Sequence, residues 1–347
     1  MEHRLSCHAY GSYPGKTDAE KNIIGHELTF NDEDDHVIDI SCSDSTIILI
    51  HQSGKSQAFG DNSKGQLGIG SFESTELYTE IKSDQKFITS KCSNYFTFWI
   101  NDKSQIYMAG GKNKLNQPTL IQGIESKSIN VYEKSVLVQV NDKKLIYWPD
   151  FDEYEQKYEH EFEDNILEFS CGNNFAISLL ENNSLFKIEK DQITPVVIPR
   201  IALDGGNRFL SASCSRDYIA VVDLNGGVWV IGKMHTYDGQ DAIIPIMDEA
   251  EKIVAFPRHC VIFDGLGLCF SFGANEEGQL GNGSQEDCAS PFPMEQSDAA
   301  FAAIGGDKFT ILVPFSYDEV HMMYHEDDII PGSLAKTIQN SSNFIPQ

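Results

Sequence analysis

Residues Gly60–Gly70 read GDNSKGQLGIG, and Gly273–Gly283, 213 residues downstream, read GANEEGQLGNG. Seven of the eleven positions are identical at the same offsets. A phosphate-binding loop is needed once in a chain, whereas a structural corner recurs at a whole multiple of a repeat length. Five repeats between the copies give a period of about 43 residues, inside the range of roughly 20–50 that marks solenoids and propellers.

Apolar runs closed by cysteine mark other repeats: VIDISC ends at Cys42, FITSKC at Cys92 and ILEFSC at Cys171. Extending this alignment gives seven anchors: Cys42, Cys92, Val131, Cys171, Cys214, Phe256 and Ile304. Eighteen residues after an anchor stand Gly60, Gly110, Pro149, Glu189 and Gly232, and seventeen after Phe256 stands Gly273. The first half of each repeat is therefore constant, and length variation falls after the glycine.

That constant half has strand grammar. In TIILIHQSGKSQAFG (Thr46–Gly60) two β-prone runs flank Ser53-Gly54, and in YIAVVDLNGGVWVIG (Tyr218–Gly232) they flank Asn225-Gly226. Asp102-Lys103, Asn141-Asp142, Asn182-Asn183 and Asp264-Gly265 take the same place elsewhere. Such residues suit tight hairpin turns, and the β-branched and aromatic flanks suit strands. Persuasive helical periodicity is absent before residue 315.

Seven such units predict an all-β, seven-bladed β-propeller, because a closed ring protects the terminal sheet edges that an open stack would expose. The last repeat fades at Phe315, before its glycine. SCHAYGSYPG (Ser6–Gly15) offers Tyr10-Gly11 to match Phe59-Gly60 and Phe272-Gly273. The N-terminal strand near Ser6–Gly11 is thus expected to pair into the last blade and close the circle. Residues 1–315 form the propeller on this reading, and 316–347 a flexible C-terminal tail.

An apolar entry to each repeat, Cys-Gly or a variant, a hairpin, an aromatic with Gly, then Asn and GQLG: this order resembles the repeat of the regulator of chromosome condensation family, whose members are seven-bladed propellers. Cys171-Gly172, Ile304-Gly305-Gly306 and both GQLG copies carry the resemblance. Family repeats usually place a histidine four residues after the cysteine, where this chain has Thr46, Phe96, Ser135, Phe175, Tyr218, Cys260 and Lys308. GQLG then reads as a corner. The corner residues are Gly60, Asn62, Gly65, Gln66, Leu67 and Gly68, with Gly273, Asn275, Gly278, Gln279, Leu280 and Gly281 in the second copy. The leucines turn inward and the asparagines bond backbone amides.

Hydrophobic residues make up 41% of the chain, enough to build a core. With 26 basic against 52 acidic residues the net charge is −26, which repels phosphate backbones and anionic membranes. Neither nucleic acid nor membrane is an expected partner. Acidic clusters at Asp32–Asp35 and Asp150–Asp164 read as solvated loops. The eight cysteines include no CxxC pair, and Cys42, Cys92, Cys171 and Cys214 read as small buried hydrophobes of an intracellular protein, cytoplasmic or nuclear.

Catalytic and metal patterns do not assemble. Gly15-Lys16-Thr17 ends like a phosphate loop, but Tyr10 stands where the loop's first glycine belongs. His321 and His325 have helical spacing in a tail without a third ligand. No catalytic residue, cofactor or metal is expected. The sequence supports a protein-interaction platform, not an enzyme, whose acidic surface meets a basic protein surface, with Asp150, Asp152, Glu153 and Glu155 as a candidate contact loop. The resemblance implies an alternative: nucleotide exchange on a small GTPase, the activity of the family's founding member toward Ran.

Overall fold

Each anchored run forms the innermost strand of a four-stranded antiparallel sheet. The computed structural model describes residues 6–14, 26–29, 35–198, 207–236, 242–244, 249–295 and 299–314. These residues form seven such sheets, arranged as a seven-bladed propeller. Blades 1 to 6 follow chain order from inner to outer strand, blade 1 being Val37–Cys42, Thr46–His51, Ser56–Gly60 and Thr75–Glu80. The inner strands of blades 2 to 6 are Phe87–Cys92, Ser128–Tyr132, Ile166–Cys171, Phe209–Ser215 and Ala250–Ala255.

Blade 7 is shared between the chain ends. Ala300–Gly305 and Phe309–Pro314 supply its inner half, and Ser6–Gly11 and His26–Thr29 its outer half. Gly11 pairs with Phe309 and His8 with Leu312, which closes the ring as expected. Cys7, Ala9 and Tyr10 are wholly buried, so apolar packing reinforces the closing hydrogen bonds.

The core lies between blades. Phe96, Phe98 and Ile100 of blade 2 pack with Val136, Val138 and Trp148 of blade 3, and each seam repeats the arrangement with its own residues. An inner strand has one unpaired edge facing the channel, and buried N–H groups there need partners. Side chains of the preceding blade supply them. Asp39 Oδ2 accepts from Ser90 N (2.7 Å), Asn130 Oδ1 from Cys171 N (2.9 Å), Glu168 Oε2 from Ala212 N (2.8 Å) and Ser170 Oγ from Cys214 N (2.8 Å).

Strand register corrects two anchors. Cys42, Cys92, Val131, Cys171 and Cys214 each pair with the residue five further on, and the equivalents in blades 6 and 7 are Ala255 and Gly305. Phe256 lies one residue beyond the strand and Ile304 one before its end. The apolar run of blade 6 continues past the strand because Phe256 is itself buried in the seam, so hydrophobicity alone misplaces the boundary. The histidine position of those blades therefore holds His259 and Phe309, not Cys260 and Lys308. Gly273 then stands eighteen residues after its anchor, like the others.

One segment read as a loop also changes. Asp150–Asp164 contains a 3-10 turn, Phe151–Glu153, and then the outer strand Tyr158–Glu161 of blade 3. Outer strands pair on one side only, so acidic residues are tolerated there and blunt the free edge. In blade 3 the hairpin tip is Asp142-Lys143 and in blade 6 Gly265-Leu266, with Asn141 and Asp264 still in their strands and accepting through Oδ1 from Lys143 N and Leu266 N. Gly15–Thr17, Asp32–Asp34 and the tail 316–347 with His321 and His325 lie outside the described residues.

Candidate interaction face

All inner strands end on one face of the ring, the upper face, where the connections to the outer strands also lie. These connections range from two residues (Lys190-Asp191) to the fourteen between Gly60 and Thr75. Both GQLG phrases occupy the long ones, and they are built alike. Asn62 Oδ1 accepts from Leu67 N and Asn275 Oδ1 from Leu280 N, both at 2.9 Å. Asn62 Nδ2 donates to Ser71 O and Glu73 O, and Asn275 Nδ2 to Ser284 O. Gln66 Oε1 accepts from Lys64 N and Gln279 Oε1 from Glu277 N.

Leu67 and Leu280 are fully buried. Gly68 and Gly281 have φ of 69° and 58°, a region that L side chains rarely adopt. A Cβ on Gly281 would lie 2.4 Å from the Tyr10 ring, and one on Gly68 2.9 Å from the Trp99 ring. Each corner thus seats an aromatic of the next blade. In the second copy that aromatic belongs to the closing strand, and Ser12 Oγ adds a bond to Glu277 Oε2 (2.9 Å).

At the centre of this face the channel opens into a recess of about 240 Å³, to which every blade contributes. Asn94 Nδ2 donates to Asp44 Oδ2 (3.0 Å) and to Glu133 Oε1 (2.9 Å), tying together carboxylates from two blades. Burial first, and then the neighbouring Asp44, push the Glu133 carboxyl above its usual range. Asp44 Oδ1 also accepts from Asp307 N, and Asp307 pairs with Arg258 at 2.7 Å. Lys64 donates to Asn94 O and lies 4.6 Å from the Tyr95 ring centre, with Lys134 5.3 Å from the same ring.

The acidic loop joins this network. Asp150 caps the 3-10 turn by accepting from Asp152 N. Asp152, its side chain only 9% exposed, pairs with Lys134 at 2.9 Å and accepts from Lys112 N at 2.7 Å. Glu153 pairs with Lys112 at 3.0 Å, and Glu155 is exposed. Asp150 and Asp152 therefore hold the loop, while Glu153 and Glu155 face solvent. Sequence reasoning missed Asn94, Glu133, Lys64, Lys112 and Lys134, because their partners are distant in sequence and most come from another blade.

His259 is wholly buried, with Nε2 2.7 Å from Thr310 Oγ1 and its ring stacked on Phe256. Burial, then the Arg258 charge, lower its pKa to about 3. Cys92, Cys171 and Cys214 are buried, Cys42 half-buried at the recess, and all eight cysteines are free. Burial pushes the Cys92 and Cys214 thiols up to about 12, which makes them poor nucleophiles. Among the described residues no group of three or more His, Cys, Asp or Glu side chains is placed to hold a metal ion.

The family model described as the regulator of chromosome condensation (RCC1) repeat matches residues 267–313, from the hairpin tip of blade 6 into the second strand of blade 7. Compared by sequence with curated proteins, the chain matches none. Human WBSCR16 is similar in structure, with a TM-score of 0.72 at 12% identity over 90% of this chain and 99% of that one. Prp20p of Saccharomyces cerevisiae, whose structure was described with its binding to Gsp1p and histones, gives 0.72 at 12% identity over 94% and 95%. Yeast RCC1 (Prp20) with Kap60 bound gives 0.70 at 12% identity over 94% and 92%. The chain thus carries a repeat of the regulator of chromosome condensation type and folds as the seven-bladed propeller seen in that family.

Proposed function

We propose that the protein is an interaction platform whose upper face receives a basic surface of another protein. The observation that carries this reading is the contrast on that face between a repeated framework and connections of two to fourteen residues, whose exposed groups include Glu153 and Glu155. Surface loops on a rigid scaffold are where binding specificity concentrates. A net charge of −26 favours encounter with a cationic partner. No helix among the described residues is long and apolar enough to cross a membrane. The proposed compartment is the cytoplasm or nucleus.

A purified partner recovered by pull-down tests the proposal. Its association should slow as salt rises, since exposed charges are screened beyond about 8 Å at physiological ionic strength. Glu153→Gln with Glu155→Gln should slow it at low salt while the melting temperature holds. Association insensitive to both changes would refute the electrostatic face.

Nucleotide exchange on a small GTPase is the second reading, supported by the similarity to Prp20p, described with its binding to Gsp1p. It requires the purified protein to accelerate release of labelled GDP at substoichiometric concentration. Acceleration across a GTPase panel would replace the platform reading.

A further inference from the structure

The opposite, lower face carries the hairpin tips between the second and third strands of blades 1 to 6. In blade 5 the tip is Asp223-Leu224-Asn225-Gly226-Gly227, and in blade 6 Asp264-Gly265-Leu266-Gly267-Leu268. Their backbone bonds match, Asp223 N donating to Gly227 O and Asp264 N to Leu268 O, so the positions are equivalent. Leu224, Leu266 and Leu268 are 47%, 58% and 44% exposed.

The repeat supplies its own comparison. At the position of Leu224, blades 1, 2 and 4 have Gln52, Asp102 and Glu181; at that of Leu266 they have Ser53, Lys103 and Asn182; at that of Leu268, Lys55, Gln105 and Ser184. Leucine therefore appears at these tips in two adjacent blades, where the same turn elsewhere is polar. The tips are also rigid. Asp223 Oδ1 accepts from Asn225 N (2.8 Å) and Gly227 N (3.0 Å), and Asp264 Oδ1 from Leu266 N (2.9 Å) and Leu268 N (2.8 Å). These bonds fix the backbone of both tips with the leucines half-exposed on the same face of adjacent blades, and exposed apolar groups gathered on one face mark interaction surfaces.

The surrounding charge selects the partner. Glu249 is exposed at the start of blade 6, and the Glu251 carboxylate lies against the blade 6 hairpin, where a Cβ on Gly265 would be 3.0 Å from its Oε1. Arg208, at the start of blade 5, is the opposing charge. We infer that the leucine-tipped hairpins of blades 5 and 6 form a docking surface for a cationic amphipathic helix, its apolar stripe set across the three leucines and its Lys or Arg residues toward Glu249 and Glu251. This rests on the platform reading but uses the other face of the ring.

Fluorescence polarisation of a labelled helix of about 18 leucine and lysine residues, leucines at i, i+3 and i+4, tests it with the full chain. Burial of three half-exposed leucines predicts binding at least about tenfold weaker for the variant Leu224→Asn, Leu266→Ser, Leu268→Ser. A counterpart peptide with glutamate for lysine should bind at least about tenfold more weakly to the parent. If the triple variant misfolds by melting temperature, Leu266→Ser alone carries the comparison. No binding to the parent, equal binding by the folded variant, or equal binding of the glutamate peptide would overturn the inference. The Glu153→Gln, Glu155→Gln variant should bind the peptide as the parent does. Peptide binding absent while the upper-face partner still binds refutes this surface alone.

Discussion

Replacing Asn275 with alanine removes the acceptor for Leu280 N and the donor to Ser284 O, at 2.9 and 3.0 Å, from a site that is fully buried. The stranded Leu280 N–H costs about 1–3 kcal/mol, and loss of the bond to the Ser284 carbonyl adds about 1 kcal/mol. The expected destabilisation is about 2–4 kcal/mol. With an unfolding entropy of roughly 2.1 cal/mol/K per residue over the roughly 270 described residues, this lowers the melting temperature by about 3–7 °C. Scanning calorimetry measures it. Asn62→Ala should fall in the same range, because its bonds are the same in kind. Asn275→Asp keeps the acceptor but turns a carboxylate toward the Ser284 carbonyl, so it should not rescue the loss. Melting within about 1 °C of the parent for both alanine variants would refute the account of GQLG as a hydrogen-bonded corner.

Two further outcomes follow from the closed ring and its buried histidine. Deleting residues 1–14 removes the buried Cys7, Ala9 and Tyr10 and leaves the edge of Phe309–Pro314 unpaired, so it should lower the melting temperature by more than about 10 °C or cause aggregation, whereas deleting 320–347 should change it little; equal melting would contradict the latch. His259 protonates near pH 6.5 when unfolded but only near 3 when folded, so between those limits the unfolded state binds the extra proton and stability falls on acidification, by up to about 1.4 kcal/mol per pH unit. Urea denaturation from pH 7 to 4 should show a shallower loss for His259→Gln than for the parent, and parallel curves would count against it.

Much of the architecture was legible because a propeller repeats local structure. Each hairpin needs β-prone flanks around a tip that accepts positive φ, and Gly54, Asn183, Gly226 and Gly267 all lie in that region. Closure was legible because the Gly11 motif completes the half-repeat that ends near Phe315. The candidate face was less so. Asp150, Asp152, Glu153 and Glu155 read alike as acids, yet Lys112 and Lys134 from neighbouring connections turn Asp152 into a nearly buried strut and leave Glu155 exposed.

The sequence by itself determined the strand content, the repeat, the number of blades and the corner chemistry, since each depends on residues within one repeat. Tertiary structure decided what depends on two blades at once. Register shows that blade 6 ends its inner strand at Ala255 and places His259 at the family's histidine position, because Phe256 is buried by the neighbouring blade and its hydrophobicity does not mark strand membership. The pairing of Asp39 with Ser90 N, or of Glu168 with Ala212 N, joins groups 44 to 51 residues apart, and no local rule selects them. Exposure is decided the same way: Leu67 and Leu266 are the same residue type beside similar glycines, but the first packs in a cluster with Phe87 and Trp99 of the next blade and solvent meets the second.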